Sequence, residues 1–444
     1  LHQLGVNATP AEIRDFELWR TRRLWEQYKD EKMNLLTIAQ NELNSADIRF
    51  ANGRQGEPYK QSARVAVKGL RGIAVKGLDG TGLEASVSTD GTVTLHGTPV
   101  NAGDVELTLF CRIDGIDSML SRKFRIAFNP DPRTLWKDKP VPADIEFPKP
   151  DTDCAYVLVP EFEGRRQKDI VAASKRGRSH AQEGSPRDDD FRVSFNPQNG
   201  WYVLAVADGA GSAKYSREGS AIATREAERF CAEGLARDGE AFERAIAAFA
   251  ADKSRENARP VTEYIHNILY KAAVQAYHAI RSKVDLCNGT ATMRDFSTTL
   301  LLTVCRRFSF GWFIASFGVG DGAIAIYDKG SDAVKLLNEP DSGEYAGQTR
   351  FLTMESIFKD RTRIRMSIVP DFTALMLMTD GISDPFFETD ANLERKEKWD
   401  GLWADLSKTV DFSDDNENAA DQLLDWLDFW SPGNHDDRTI AILY

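Results

Sequence analysis

Three apolar runs, at residues 298–305, 312–317 and 323–327, follow one another with only short polar gaps between them. None of the gaps is long enough for the crossover helix that parallel neighbours need, which excludes a pure βαβ architecture for this region. Further strand-like runs at 201–207 (WYVLAVA), 373–379 (TALMLMT) and 438–443 alternate with helical stretches at 217–236 and 261–283. The second helical stretch sets Ile265, Ile268, Leu269, Ala272, Ala276 and Ile280 on one stripe at helical spacing. Stacked sheets covered by helices satisfy both patterns.

The first third of the chain reads differently. Thr9-Pro10-Ala11-Glu12 is a capping box with proline at the first helical position. The helix-prone stretch behind it runs to about Asn44 with Ile13, Phe16, Trp19, Leu24, Trp25 and Tyr28 in imperfect register. It predicts one or two surface helices docked within the chain, a partner-binding arm being the alternative. From 46 to 129 the runs are short, and Asp90-Gly91 sits between two alternating segments as a hairpin turn. This predicts a small antiparallel sandwich, and its turn residues resemble immunoglobulin-like modules related to cadherin repeats, which space or bind. Six prolines between 130 and 150 predict a stiff linker. The expected parts are a helical arm (1–45), an immunoglobulin-like β-sandwich (46–129), a linker (130–153) and an α/β domain (154–444).

Apolar residues at 42% are enough for a sizeable core in 444 residues. The balance of 56 basic against 68 acidic residues argues against nucleic acid and anionic membranes as partners. No run approaches a membrane span, and no apolar signal segment opens the sequence. Five scattered cysteines without CxxC spacing exclude a zinc site or disulfide framework as first expectations and predict a cytoplasmic setting.

The chemistry is expected where aspartate and glycine close an apolar strand: Ala207-Asp208-Gly209, Gly320-Asp321-Gly322 and Thr379-Asp380-Gly381. Asp436-Asp437 opens the last strand. Asp-Gly is also a common turn, and that reading stays open for Asp321. Carboxylates gathered at strand ends repel one another and raise their own pKa values unless a cation neutralises them. Oxygen-only ligands without histidine or cysteine suit Mg²⁺ or Mn²⁺ rather than zinc.

In order along the chain, Asp208-Gly209-Ala210-Gly211, Ser297-Thr298-Thr299, Gly318-Val319-Gly320-Asp321, Thr379-Asp380-Gly381-Ile382-Ser383-Asp384 and Asp436-Asp437-Arg438-Thr439 resemble the motif set of metal-dependent, type-2C serine/threonine protein phosphatases. The resemblance covers about 154–444 and implies an α-β-β-α sandwich with two Mn²⁺ or Mg²⁺ ions, and a position for a third. It implies Asp208 as the bridging ligand, the Gly209 carbonyl on one ion, and Asp380 and Asp436 on the other. Asp321 and Asp384 match positions of the weaker third ion, and Asp188 and Asp189 an acidic pair near the metals. The family's phosphate-gripping arginine is replaced by His180, counted from Gly177, as in a bacterial branch of the family. Arg176, Arg178 or Arg187 are the candidates for that grip, since a guanidinium offers a bidentate fork. Ala210 stands where eukaryotic relatives have a histidine, so the general acid falls to His180, Asp384 or water.

The expected activity is hydrolysis of phosphoserine and phosphothreonine in proteins, opposed by a serine/threonine kinase. The rival is a phosphatase-shaped scaffold that binds a phosphoprotein or kinase without turnover.

Overall fold

The computed structural model describes residues 8–341 and 349–444. It divides into two compact units, Leu1–Trp136 and Lys137–Tyr444.

In the first unit the capping box forms as the sequence predicts: the Thr9 hydroxyl accepts from the Glu12 N–H, and the Glu12 carboxylate accepts from the Thr9 N–H. One continuous helix follows, Pro10–Ser45. It docks only through its last turns, where Ala39 and Leu43 are buried. Two sheets, of four and three strands, share one core that includes Val93, Leu95, Leu107, Leu109 and Ile126. Asp90-Gly91 is a hairpin turn joining Leu83–Val87 to Thr92–Gly97.

The second unit stacks a five-stranded sheet on a six-stranded one. The strand Trp201–Ala207 shows how the sequence dictates this. Trp201, Val203, Ala205 and Ala207 face the helices Ser216–Ala251 and Lys271–Leu286, whereas Tyr202, Leu204 and Val206 face the other sheet. Both faces are buried, hence the unbroken apolar run. On the far side the six-stranded sheet packs Met376, Met378 and Ile440 against Ile382, Trp399, Leu402 and Leu423 of three shorter helices. The result is a mixed α/β fold with helices outside two central sheets. The helical stretch expected at 261–283 is Arg255–Leu286, interrupted by a π-helical turn at His266–Tyr270.

The expected linker is only partly a linker. Residues 137–150 belong to the second unit. Phe147 packs edge-on against Tyr215 at 5.3 Å, and the Arg217 guanidinium donates to the carbonyls of Glu146 and Phe147. The following strand opens at Thr152. Proline composition there sets an extended backbone, and side-chain contacts dock it.

Register places the chemistry. In the five-stranded sheet Asp190 pairs with Ala207, Val206 with Leu301, and Leu300 with Val319. In the six-stranded sheet Ala323 pairs with Met378, Met378 with Ile440, and Arg438 with Lys175. The residues just beyond these pairs therefore meet along one rim: Asp188, Asp208, Asp321, Asp380 and Asp436.

Candidate metal centre

Three strand-end aspartates converge. Asp208, Asp321 and Asp380 each place a carboxylate oxygen within 4.8 Å of the others. Asp208 is held by its backbone: its N–H donates to the Thr299 hydroxyl at 2.8 Å, and its carbonyl accepts from the Thr298 hydroxyl and the Thr299 N–H, both at 2.8 Å. Asp380 opens the helix Asp380–Phe387, where free N–H groups favour negative charge. Asp384 lies one turn further on, exposed. Asp321 accepts a hydrogen bond from the Thr349 hydroxyl.

These carboxyls disturb one another. Burial, followed by the charges of Asp380, Asp189, Asp436 and Asp321, holds the Asp208 pKa well above the ordinary carboxylate range. Burial and the charges of Asp321, Asp436, Asp189 and Asp384 do the same to Asp380. Asp321, Asp384 and Asp436 are also raised, in each case first by desolvation of the carboxyl, although Asp384 and Asp436 keep an exposed edge at the rim.

The second cluster is His180, Asp436 and Asp437, again with ligand atoms within 4.8 Å. Asp437 is its hub. One of its oxygens accepts from the Gly177 N–H at 2.5 Å and meets His180 Nδ1 at 2.9 Å. The other accepts from the backbone N–H groups of Asp188 at 2.5 Å and Asp189 at 3.4 Å. Burial opposes charge on Asp437, but these bonds and His180 outweigh it and lower its pKa. Burial likewise opposes charge on His180, yet Asp437, Asp188 and Asp436 together push its pKa up to about 9. His180 is therefore an imidazolium at neutral pH, with Nε2 3.6 Å from Asp188. The packing against this hub is close enough to demand glycine. A Cβ on Gly177 would lie 2.3 Å from the Asp436 carbonyl carbon, and one on Gly381 1.8 Å from the Asp437 carbonyl oxygen.

Asp188 and Asp189 sit between the clusters. Burial raises Asp188 to about 6, and burial with the charges of Asp437 and Asp436 raises Asp189 to about 7. The Thr379 hydroxyl donates to Asp189 at 2.9 Å. Behind them stands a residue that the sequence reading missed. The Lys149 ammonium, its side chain 10% exposed, pairs with Asp190 at 2.8 Å and donates to the Asp189 carbonyl at 2.8 Å.

The arginines expected to grip phosphate are turned to other work. Arg176 is buried; it pairs with Asp151 at 3.2 Å and donates to the carbonyls of Lys139 at 2.9 Å and His180 at 3.1 Å. That geometry contradicts a phosphate-binding role for Arg176. Arg187 is buried and bonded to the Pro150 carbonyl at 3.3 Å. Arg178 lies at the surface over the Trp430 ring, 3.4 Å from Asp428.

Whether this rim suits divalent metal can be tested on the side chains themselves. An oxygen of Asp321 is buried with no hydrogen-bond partner, an expensive state for a carboxylate without a cation; one of Asp188 also lacks a hydrogen bond and has only the Arg217 guanidinium 3.8 Å away. The donors of the Asp208, Asp321 and Asp380 cluster are all carboxylates, the donor set of Mg²⁺ or Mn²⁺. The residues fit such ions.

A family model described as Protein phosphatase 2C matches residues 176–428, more than half of the sequence. This chain belongs to the protein phosphatase 2C family. The match ends before Asp436, so the last acidic pair of this protein phosphatase 2C chain lies outside it. No curated protein matches the sequence. Among solved structures, the serine/threonine phosphatase Stp1 from Staphylococcus aureus is 16% identical, over 64% of this chain and 96% of that one, with a TM-score of 0.35. The catalytic domain of the serine/threonine protein phosphatase PstP, in complex with two manganese ions, is 15% identical over 62% and 97%, TM-score 0.35. RsbX in complex with magnesium is 13% identical over 64% and 99%, TM-score 0.32.

Proposed function

We propose that this protein phosphatase 2C chain hydrolyses phosphoserine and phosphothreonine esters in proteins, with two Mn²⁺ or Mg²⁺ ions at the acidic rim. The observation that carries this reading is the convergence of Asp208, Asp321 and Asp380, with a buried carboxylate oxygen of Asp321 that has no hydrogen-bond partner. Asp208, the Gly209 carbonyl, Asp380 and Asp436 would hold the ions, with Asp321 and Asp384 at a third position and Asp188 and Asp189 through water. Such ions, when bound, supply a lowered pKa for water and charge neutralisation of phosphate oxygens.

The protein's own groups do the remaining work. Asp437 fixes the His180 imidazolium and the backbone of the acidic pair. Thr379 orients Asp189 towards the rim. Asp384, exposed one turn beyond Asp380, is the group we assign to deliver a proton to the departing serine or threonine oxygen when the third position holds no ion. His180 contributes positive charge beside Asp188, in the place of the family's arginine. The phosphate grip by Arg178 remains part of this proposal; that by Arg176 does not. Charge balance and the family lead us to propose a phosphoprotein substrate in the cytoplasm, opposed by a serine/threonine kinase. Among the described residues no helix is long and apolar enough to cross a membrane. The immunoglobulin-like assignment of the first unit is likewise a proposal, supported by its two-sheet core.

The test is turnover of a phosphothreonine peptide with and without Mn²⁺. Release of phosphate that chelator abolishes supports the reading. A protein that binds the peptide but releases no phosphate at any Mn²⁺ concentration supports the scaffold instead.

A further inference from the structure

The N-terminal helix presents more apolar surface than its own unit covers. Residues 10–31 are exposed without exception, and the helix enters the β core only further on, through Ala39 and Leu43. At 3.6 residues per turn, Ile13, Phe16, Leu24, Tyr28, Leu35 and Ile38 fall within an arc of about 120°, which they share with Glu17, Arg20, Gln27, Glu31 and Asn34. This stripe lies roughly a quarter-turn away from the docked face. Each of the six is between 38% and 58% exposed. Two tryptophans widen the stripe, Trp19 stacking on Phe16 at 5.9 Å and Trp25 on Tyr28 at 5.6 Å. A helix in water gains nothing from such a face, which marks an interaction site.

The order of residues along the stripe identifies what covers it. Turned end for end, the stripe matches itself: Ile13 falls opposite Ile38, Phe16 opposite Leu35, and Leu24 beside Tyr28. In that register Arg20 meets Glu31, and Glu17 meets the neutral Asn34. A parallel pairing would instead set Arg20 on Arg20 and Glu31 on Glu31. Twelve half-exposed large side chains from two copies carry on the order of 1,000 Å² of apolar surface, the lower bound for a specific interface.

We propose that the helix Pro10–Ser45 pairs antiparallel with the same helix of a second copy, with Arg20 of each facing Glu31 of the other. The partner is this chain itself, and the contact is independent of the chemistry at the acidic rim. Charge reversal tests both the pairing and its register. By light scattering after gel filtration, the full chain should run at twice its 49.6 kDa mass at micromolar concentration. Arg20→Glu alone and Glu31→Arg alone each place like charges together and should raise the dimer Kd at least about tenfold. An equimolar mixture of the two variants should restore the dimer, because every cross pair is then complementary. A wild-type monomer would overturn the proposal, including one that binds vesicles of phosphatidylcholine and phosphatidylglycerol. So would a dimer indifferent to both reversals.

Discussion

The dipeptide Asp-Gly occurs in both units and does opposite things. In the first unit the Asp90 carboxylate is exposed, accepts from Ser88 and from the hydroxyl and N–H of Thr92, and has a pKa below the ordinary range because of those bonds. At the rim of the second unit Asp208 and Asp380 have other carboxyls for neighbours, and burial with mutual repulsion pushes their pKa values up. One turn is complete in itself. The other arrangement is complete only with positive charge, and the local tripeptide cannot tell the two apart. What separates them is whether the neighbours donate hydrogen bonds or repel.

The largest effect that would sharpen this contrast is on turnover. Asp208→Ala or Asp380→Ala should lower phosphatase activity by about a thousandfold or more, the scale of lost transition-state stabilisation. The metal-free fold should survive, since each substitution removes a repelled carboxylate; retained activity in both variants would break the comparison. Next comes Lys149→Met, which leaves Asp190 buried without its partner and should cost about 3–5 kcal/mol of stability. Chemical denaturation of the second unit measures it. By the same contact, deleting residues 1–136 should leave p-nitrophenyl phosphate hydrolysis within about twofold. Deleting 1–150 should not, because Phe147 and Lys149 go with it.

The pH dependence is smaller, and its sign follows from linkage. Asp188 and Asp189 are raised to about 6 and about 7, so the folded state holds more protons than the unfolded chain above pH 4. His180, raised to about 9, acts in the same sense at higher pH. Metal-free stability should therefore fall steadily as pH rises from about 5 to 9. Asp437, with its lowered pKa, opposes this only towards acid pH, where protonation removes its contribution. Thermal melts in chelator across that range check it; a curve rising with pH would contradict the electrostatics. The smallest effect is expected at Asp90→Ala, which should leave turnover unchanged and shift only the melting of the first unit.

Much of this site was legible because apolar runs announce strands and the aspartates stand at their ends. The run WYVLAVA, buried on both faces, places Asp208 at the sheet edge before any coordinates exist. Asp437 was harder. Its role depends on the strand Arg438–Leu443 lying beside Ile170–Lys175, a pairing between segments more than 260 residues apart in sequence. Lys149 was hidden by composition, since a proline-rich segment reads as linker until the Asp190 carboxylate is seen to receive its ammonium. Arg176 misled for the converse reason. Sequence shows a guanidinium near the site, but not the Asp151 carboxylate and the two carbonyls that occupy it. The amino-terminal helix was visible through its capping box, whereas the free stripe along it required knowing which face docks.

Calorimetric titration of the chelator-treated protein with Mn²⁺, run at pH 7 in two buffers of different ionisation enthalpy, addresses the rim most directly. Carboxyls that hold protons only for want of a cation should bind about two ions and release protons as they do so. Asp208→Asn should remove most of that heat. Absence of binding at millimolar Mn²⁺, or binding undiminished in Asp208→Asn, would contradict the account.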